Sequence, residues 1–250
     1  MSAGIVEFKE LGPCIVQITM QDKAHKNTFS DELIVGLSEA FKRVNASDKY
    51  KVVILTGYDS YFASGGTKES LLHIQERKIK FTDSDLYSLA LDCPIPVIAA
   101  MQGHGIGGGF AMGLFSDFII LSLESIYTTN FMKYGFTPGM GATLILPKKL
   151  GFSLAEEMLI SAKTYYGHDL KKRGISFPVL PRAEVMPYAL ELAETIAEKP
   201  RLSLITLKDH LVAGLRAELP GYIEREVAMH EKTFHQPEVR DLIKSQYIGG

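Results

Sequence analysis

Hydrophobic and polar positions change period several times along the chain, and each change marks an element. Ile15, Val16, Ile18 and Met20 are β-prone and follow the turn pair Gly12-Pro13, so residues 5–20 predict two β segments joined by a turn. After the polar loop QDKAHKNTF, residues Leu33, Ile34, Leu37, Phe41 and Val44 share one face at helical spacing. Ser30 suits the N-cap of that helix, and Asp31 and Glu32 suit the positive end of its dipole. Three apolar runs, 52–56, 96–101 and 118–122, predict buried strands separated by segments of helical character, the alternation of an α/β fold. Further on, Ser153 and Glu156 have capping-box spacing at the start of a helix LAEEMLISA. A second helix is predicted over YALELAETIAEK, and a third stretch is helical from Leu204 almost to the end, with YIGG frayed. No repeat, low-complexity tract or linker interrupts the chain, so residues 1–200 are expected to form one core and 201–250 a helical region attached to it.

Composition narrows the class. With 250 residues and 46% hydrophobic content, the chain can bury one substantial core. Its 27 Lys+Arg against 29 Asp+Glu give no electrostatic footprint for nucleic acid. The stretch MSAGIVEFKELG lacks a basic run followed by an apolar one, and no segment has the length of a membrane helix, so a cytoplasmic protein is expected. Cys14 and Cys93 lie in unrelated contexts without metal-ligand spacing, which suits a reducing compartment and small core residues.

Two glycine turns carry the candidate chemistry. YFASGGTKES follows the strand VVILT, and QGHGIGGGFAMG follows PVIAAM, so each turn sits where a buried strand hands over to a helix. Glycine admits positive φ and close approach of a ligand to the backbone, and two N–H groups from separate turns can hold one oxygen that gains negative charge. A helix starting near Gly108 adds its positive end to that spot. Two other readings stand beside this one. Gly103, Gly105 and Gly108 satisfy the G-x-G-x-x-G dinucleotide pattern, although far from the chain start where such a fingerprint usually opens a domain. The glycines can also serve tight packing alone.

His230 shares a helix face with Ile223, Val227 and Phe234, which fits either a hydrogen-bonded core histidine or a functional one. Arg77, Lys78 and Lys80 follow the first glycine turn and the amphipathic KESLLHIQ, and such a charge run can be a solvated face.

The two turns resemble the enoyl-CoA hydratase/isomerase (crotonase) superfamily, whose turns read like F-x-A-G-A-D and G-x-x-x-G-G-G. Phe62 to Thr67 and Gly103 to Gly109 occupy those slots, and the likeness extends to Thr19-Met20 through Asn27, to Gly135 through Gly141, and to residues 202–210. The resemblance implies a ClpP/crotonase-like spiral of ββα units with a C-terminal helical region that covers the active site and supports trimers or pairs of trimers. It also implies oxyanion-hole amides at Gly66 and Gly108. The departures matter more. The two slots that hold water-activating glutamates in hydratases contain Ala111 and Phe131, neither of which can transfer a proton, and the aspartate of the first turn is Thr67.

A flap lysine and a C-terminal histidine in place of the glutamate pair resemble the decarboxylating branch of the superfamily, which serves β-branching in polyketide synthases, as in bacillaene-type pathways. That implies conversion of 3-methylglutaconyl to 3-methylcrotonyl groups on an acyl carrier protein, with Lys80 and His230 as catalytic residues and neither cofactor nor metal. Arg77 and Lys78 remain alternatives to Lys80. An enoyl isomerase using His230 as its single base, and a non-catalytic protein that docks carrier domains, are the rival functions. A serine peptidase is remote, because no G-x-S-x-G elbow surrounds Ser64.

Overall fold

The computed structural model describes residues 4–247. Strands β1 (Val6–Glu10) and β2 (Ile15–Met20) form an antiparallel hairpin with Val6 opposite Met20, as the turn chemistry predicts. Parallel pairing then continues through β3 (Val52–Thr56), β5 (Val97–Met101), β7 (Phe118–Ser122) and β10 (Val179–Leu180) in the order β1-β2-β3-β5-β7-β10. Each of β3, β5 and β7 is followed by a three-residue strand. These are β4 (Tyr61–Ala63), β6 (His104–Ile106) and β8 (Ile126–Thr128), and with β9 (Tyr165–Tyr166) they build a second sheet in the order β4-β6-β8-β9. A helix closes each unit: α2 (Lys68–Gln75), α4 (Gly108–Leu114) and α5 (Ala142–Leu150). The chain is therefore a spiral of stacked ββα units.

Helix α1 (Asp31–Asn45) connects β2 to β3, and the Ser30 hydroxyl accepts the Leu33 N–H at 3.2 Å, the predicted cap. A single turn, α3 (Leu89–Asp92), precedes β5. Alternation along the strands feeds two cores. Val52, Ile54, Ile98, Ala100 and Ile120 face Val185, Ala189 and Ala193 of α8 (Arg182–Ala197), while Val53, Leu55, Val97 and Ala99 belong to the larger core that includes Leu33, Leu37 and Phe41 of α1. Cutting Ile54 or Leu55 back to alanine would cost about 2–5 kcal/mol.

Three helical expectations need correction. Helix α6 (Phe152–Ser161) starts before Ser153, with Gly151 as its N-cap and no Ser153–Glu156 box. Gly151 ends α5 and begins α6, and its φ of +80° makes that one-residue corner, so a glycine rather than a serine sets the junction. After α7 (Gly167–Lys172), α8 begins six residues ahead of Tyr188, because the interior Pro187 hides the start of a helix that opens at Pro181. Finally, the run expected from Leu204 is two helices, α9 (Arg201–Thr233) and α10 (Pro237–Gln246), parted at Phe234–Gln236 ahead of a proline at the first position of α10. Of the tail expected to fray, residues 248–250 lie outside the described residues. Among the described residues no helix is long and apolar enough to cross a membrane.

Candidate active site

Stacking of successive units brings the two glycine turns together. Strands β4 and β6 pair with Ala63 opposite Gly105, and three residues beyond each of these lie Gly66 and Gly108. The turns touch: a Cβ on Gly65, whose φ is +76°, would stand 3.2 Å from the Gly108 nitrogen, and one on Gly109 would stand 2.3 Å from the Ala63 carbonyl oxygen. Asn27 fastens the first turn, donating to the carbonyls of Met20, Tyr61 and Phe62 at 3.0, 3.2 and 2.9 Å.

Neither the Gly66 nor the Gly108 N–H donates to an acceptor among the described residues. Both are polarised from behind. The carbonyl of the peptide that carries the Gly66 N–H belongs to Gly65 and accepts Phe29 N–H at 2.8 Å, while the Gly107 carbonyl, which shares a peptide with the Gly108 N–H, accepts Ala111 N–H at 3.2 Å. Both glycines line a cavity of about 350 Å³. Two glycines with free, polarised amides that line one cavity can stabilise an oxyanion there.

The same cavity is lined by Lys80 and His230, so all four residues singled out from the sequence meet there. His230 is 7% exposed and packs against the rings of Phe81 and Phe234, each at 5.0 Å, and of Phe136 at 6.2 Å. Its Nε2 lies 2.8 Å from the Thr137 carbonyl oxygen, which can only accept, so Nε2 carries the ring proton and Nδ1 keeps a lone pair. Burial pushes its pKa down to about 4, against the hydrogen bond to Thr137 that favours the charged form. At neutral pH the ring is uncharged.

One turn earlier on α9, the buried Glu226 carboxylate accepts Gly141 N–H at 2.8 Å, Thr143 N–H at 2.9 Å and the Thr143 hydroxyl at 2.6 Å, capping the start of α5. Glu226 and His230 thus read one loop, residues 137–143, from the same helix face. Burial holds the Glu226 carboxyl above the usual carboxylate range, and its three hydrogen bonds oppose that shift.

The basic cluster separates. Arg77 pairs with Glu231 at 2.6 Å and Lys78 with Glu76 at 2.7 Å, whereas the exposed Lys80 ammonium has no ion pair or hydrogen bond among the described residues. Of the three, only Lys80 lines the cavity. Its main chain is fixed by Asp83, whose carboxylate accepts Lys80 N–H at 2.8 Å while Asp83 N–H returns to the Lys80 carbonyl at 3.1 Å. Ala111 and Phe131, the positions that the resemblance matches to the hydratase glutamates, are buried apolar side chains at 0% and 7% exposure. Sequence reasoning missed Asp83, Thr137 and Tyr247. Asp83 had a local signal, an acidic residue three positions after Lys80, but Tyr247 reaches Gly66 across 181 residues with no pattern to announce it. Among the described residues no group of three or more His, Cys, Asp or Glu is placed to hold a metal ion.

This spiral and its paired amides define a family. The chain belongs to the enoyl-CoA hydratase/isomerase family, whose model matches residues 10–247. It is 66% identical to the bacillaene synthase decarboxylase PksI of Bacillus subtilis (strain 168) over 99% of each chain. A carnitinyl-CoA dehydratase of Salmonella paratyphi A is 28% identical over 88% of this chain and 85% of its own. Among solved structures, one from a dehydratase/decarboxylase enzyme couple involved in polyketide β-branching superposes with a TM-score of 0.97 at 66% identity, covering 98% of this chain and 99% of that one. The ECH2 decarboxylase domain of CurF from Lyngbya majuscula gives 0.94 at 48% identity over 98% of this chain and 100% of its own.

Proposed function

We propose that this protein decarboxylates a 3-methylglutaconyl thioester carried on an acyl carrier protein, yielding a 3-methylcrotonyl group in polyketide β-branch formation. The observation that carries the reading is one cavity lined both by two glycines with unengaged amides, Gly66 and Gly108, and by a lysine without an ion pair, Lys80, while the positions matched by resemblance to the hydratase glutamates are Ala111 and Phe131. Decarboxylase relatives at 66% and 48% identity support it.

The chemistry balances without a further reactant. The bond between C4 and the carboxyl carbon breaks, its electron pair enters the C2–C3 double bond system, and charge arrives at the thioester oxygen, where Gly66 and Gly108 receive it. Removing one such donor in other enzymes costs about 3–4 kcal/mol of barrier. Lys80 selects an acyl group with a distal carboxylate, an attraction of about 4 kcal/mol at roughly 4 Å and an effective dielectric near 20. A cation held in line with that carboxylate throughout would resist reaction, so Lys80 also turns it out of the conjugated plane. Once carbon dioxide leaves, C4 needs a proton. The neutral His230 has its only ring proton committed to Thr137, which leaves the Lys80 ammonium as the donor, with exposure to solvent for recharging. His230 then forms the rigid wall that orients the acyl chain.

Exposed Leu202, Leu207 and Leu211 on α9 suit burial between copies and support the homotrimer, or pair of trimers, that the family resemblance implies. Intact-mass measurement of 3-methylglutaconyl-carrier protein after incubation tests the reaction. Loss of the mass of carbon dioxide is expected with the wild type, is expected to vanish with Lys80→Ala, and is expected to slow with His230→Ala, which removes the wall that orients the acyl chain. An unchanged mass with the wild type would overturn the proposal and turn attention to double-bond isomerisation.

A further inference from the structure

The two amide donors are not held alike. Gly108 begins a helix whose first hydrogen bond, Ala111 N–H to Gly107 carbonyl, fixes its peptide. Gly66 sits in the turn between β4 and α2, outside any helix, and lacks the Cβ that would restrict its φ and ψ. The peptide before it is pinned by Phe29 N–H on the Gly65 carbonyl at 2.8 Å. The peptide after it is pinned from the far end of the sequence: the Tyr247 hydroxyl donates to the Gly66 carbonyl at 2.9 Å.

From this we infer that Tyr247 is a positioning residue for the oxyanion hole, and that α10 is the strap that delivers it. The inference rests on the reading that Gly66 N–H receives the oxyanion. With both flanking carbonyls held, φ and ψ of Gly66 have little room, and the N–H vector between them stays aimed into the cavity. The strap is anchored around the same turn. Lys68 Nζ donates to the Lys244 carbonyl at 2.9 Å, Arg240 pairs with Glu76 at 3.1 Å, and the Tyr247 ring lies against Tyr134 at 6.2 Å on the cavity wall. Burial pushes the Tyr247 hydroxyl up to about 12, so it remains a donor across the working range of pH.

Tyr247→Phe removes the hydroxyl and keeps the ring in place. The expected result is a fall in kcat of about tenfold with KM within about twofold, less than the hundredfold or more seen when a donor is removed outright. Binding of a saturated 3-methylglutaryl-carrier protein, labelled with carbon-13 at the thioester carbonyl, supplies the readout that a merely structural role would not move. This group cannot lose carbon dioxide through conjugation, and the infrared stretch of its carbonyl reports polarisation by the two amides. A downshift on binding to the wild type that shrinks in Tyr247→Phe supports the inference. A downshift of equal size in both proteins, or an unchanged kcat, overturns it while leaving the hole intact. No downshift in the wild type overturns the assignment of the hole itself.

Discussion

A neutral imidazole boxed by Phe81, Phe136 and Phe234 makes a definite demand on pH. The folded-state pKa of His230 is pushed down to about 4 from an ordinary value of 6.5, so between these values the unfolded chain binds a proton that the folded chain refuses. Stability from this group is complete above about pH 6.5 and is lost as pH falls towards 4, by about 3 kcal/mol in all. Glu226 acts in the opposite sense, because a carboxyl held above its usual range loses stability as pH rises through its folded value. Comparison with His230→Phe separates the two. Melting temperature should drop between pH 6.5 and 4.5 more steeply in the wild type than in the variant, and parallel curves would mean that burial does not govern this ring. Of the rings around His230 only Phe234 was legible in the 223, 227, 230, 234 spacing; Phe81, Phe136 and the hydrogen bond to Thr137, 93 residues away, come from other parts of the chain.

At the scale of elements, the flap is α2 together with the turn that returns the chain to the body. Helix α2 ends in a Schellman motif, with Arg77 N–H on the Ile74 carbonyl at 3.0 Å and Lys78 N–H on His73 at 2.9 Å. The left-handed position falls on Arg77, φ +62°, where glycine would be relaxed, and its guanidinium in return reaches Glu231. Both partners are about half exposed, so the pair adds little to stability and is screened by salt. Arg77→Ala should therefore leave the global unfolding midpoint almost unchanged yet speed amide exchange in α2 relative to α8, an effect that added salt reproduces in the wild type. Equal exchange in variant and wild type would show that the flap is held by its apolar contacts alone. Long strands and α1 could be read directly from period and capping, but β4, β6 and β8 are three residues each, too short to show alternation. What places them is pairing between successive units, and pairing is a property of the stack.

That stack distributes the proposed chemistry over the whole molecule. Two spiral units supply the amides, the flap supplies Lys80, and α9 supplies His230, so no local window of sequence contains the site. The glycine turns were legible because positive φ and close backbone approach demand glycine, whereas the cavity that joins them to Lys80 exists only after folding. The same arrangement predicts which reaction the protein leaves undone. Water addition needs one group to take a proton while another gives one, and the positions that the family resemblance matches to that pair hold Ala111 in α4 and Phe131 beside the cavity. Offered a monocarboxylic crotonyl thioester, the wild type should form no 3-hydroxyacyl product, while the dicarboxylic substrate turns over. Lys80→Met should remove that preference, with binding of the dicarboxylic group weakened by at least tenfold and binding of the crotonyl group unchanged. Hydration of crotonyl by the wild type would show that another acid–base pair operates in this cavity. Equal weakening of both ligands in Lys80→Met would show that the cation supports the flap and does not read the substrate's carboxylate.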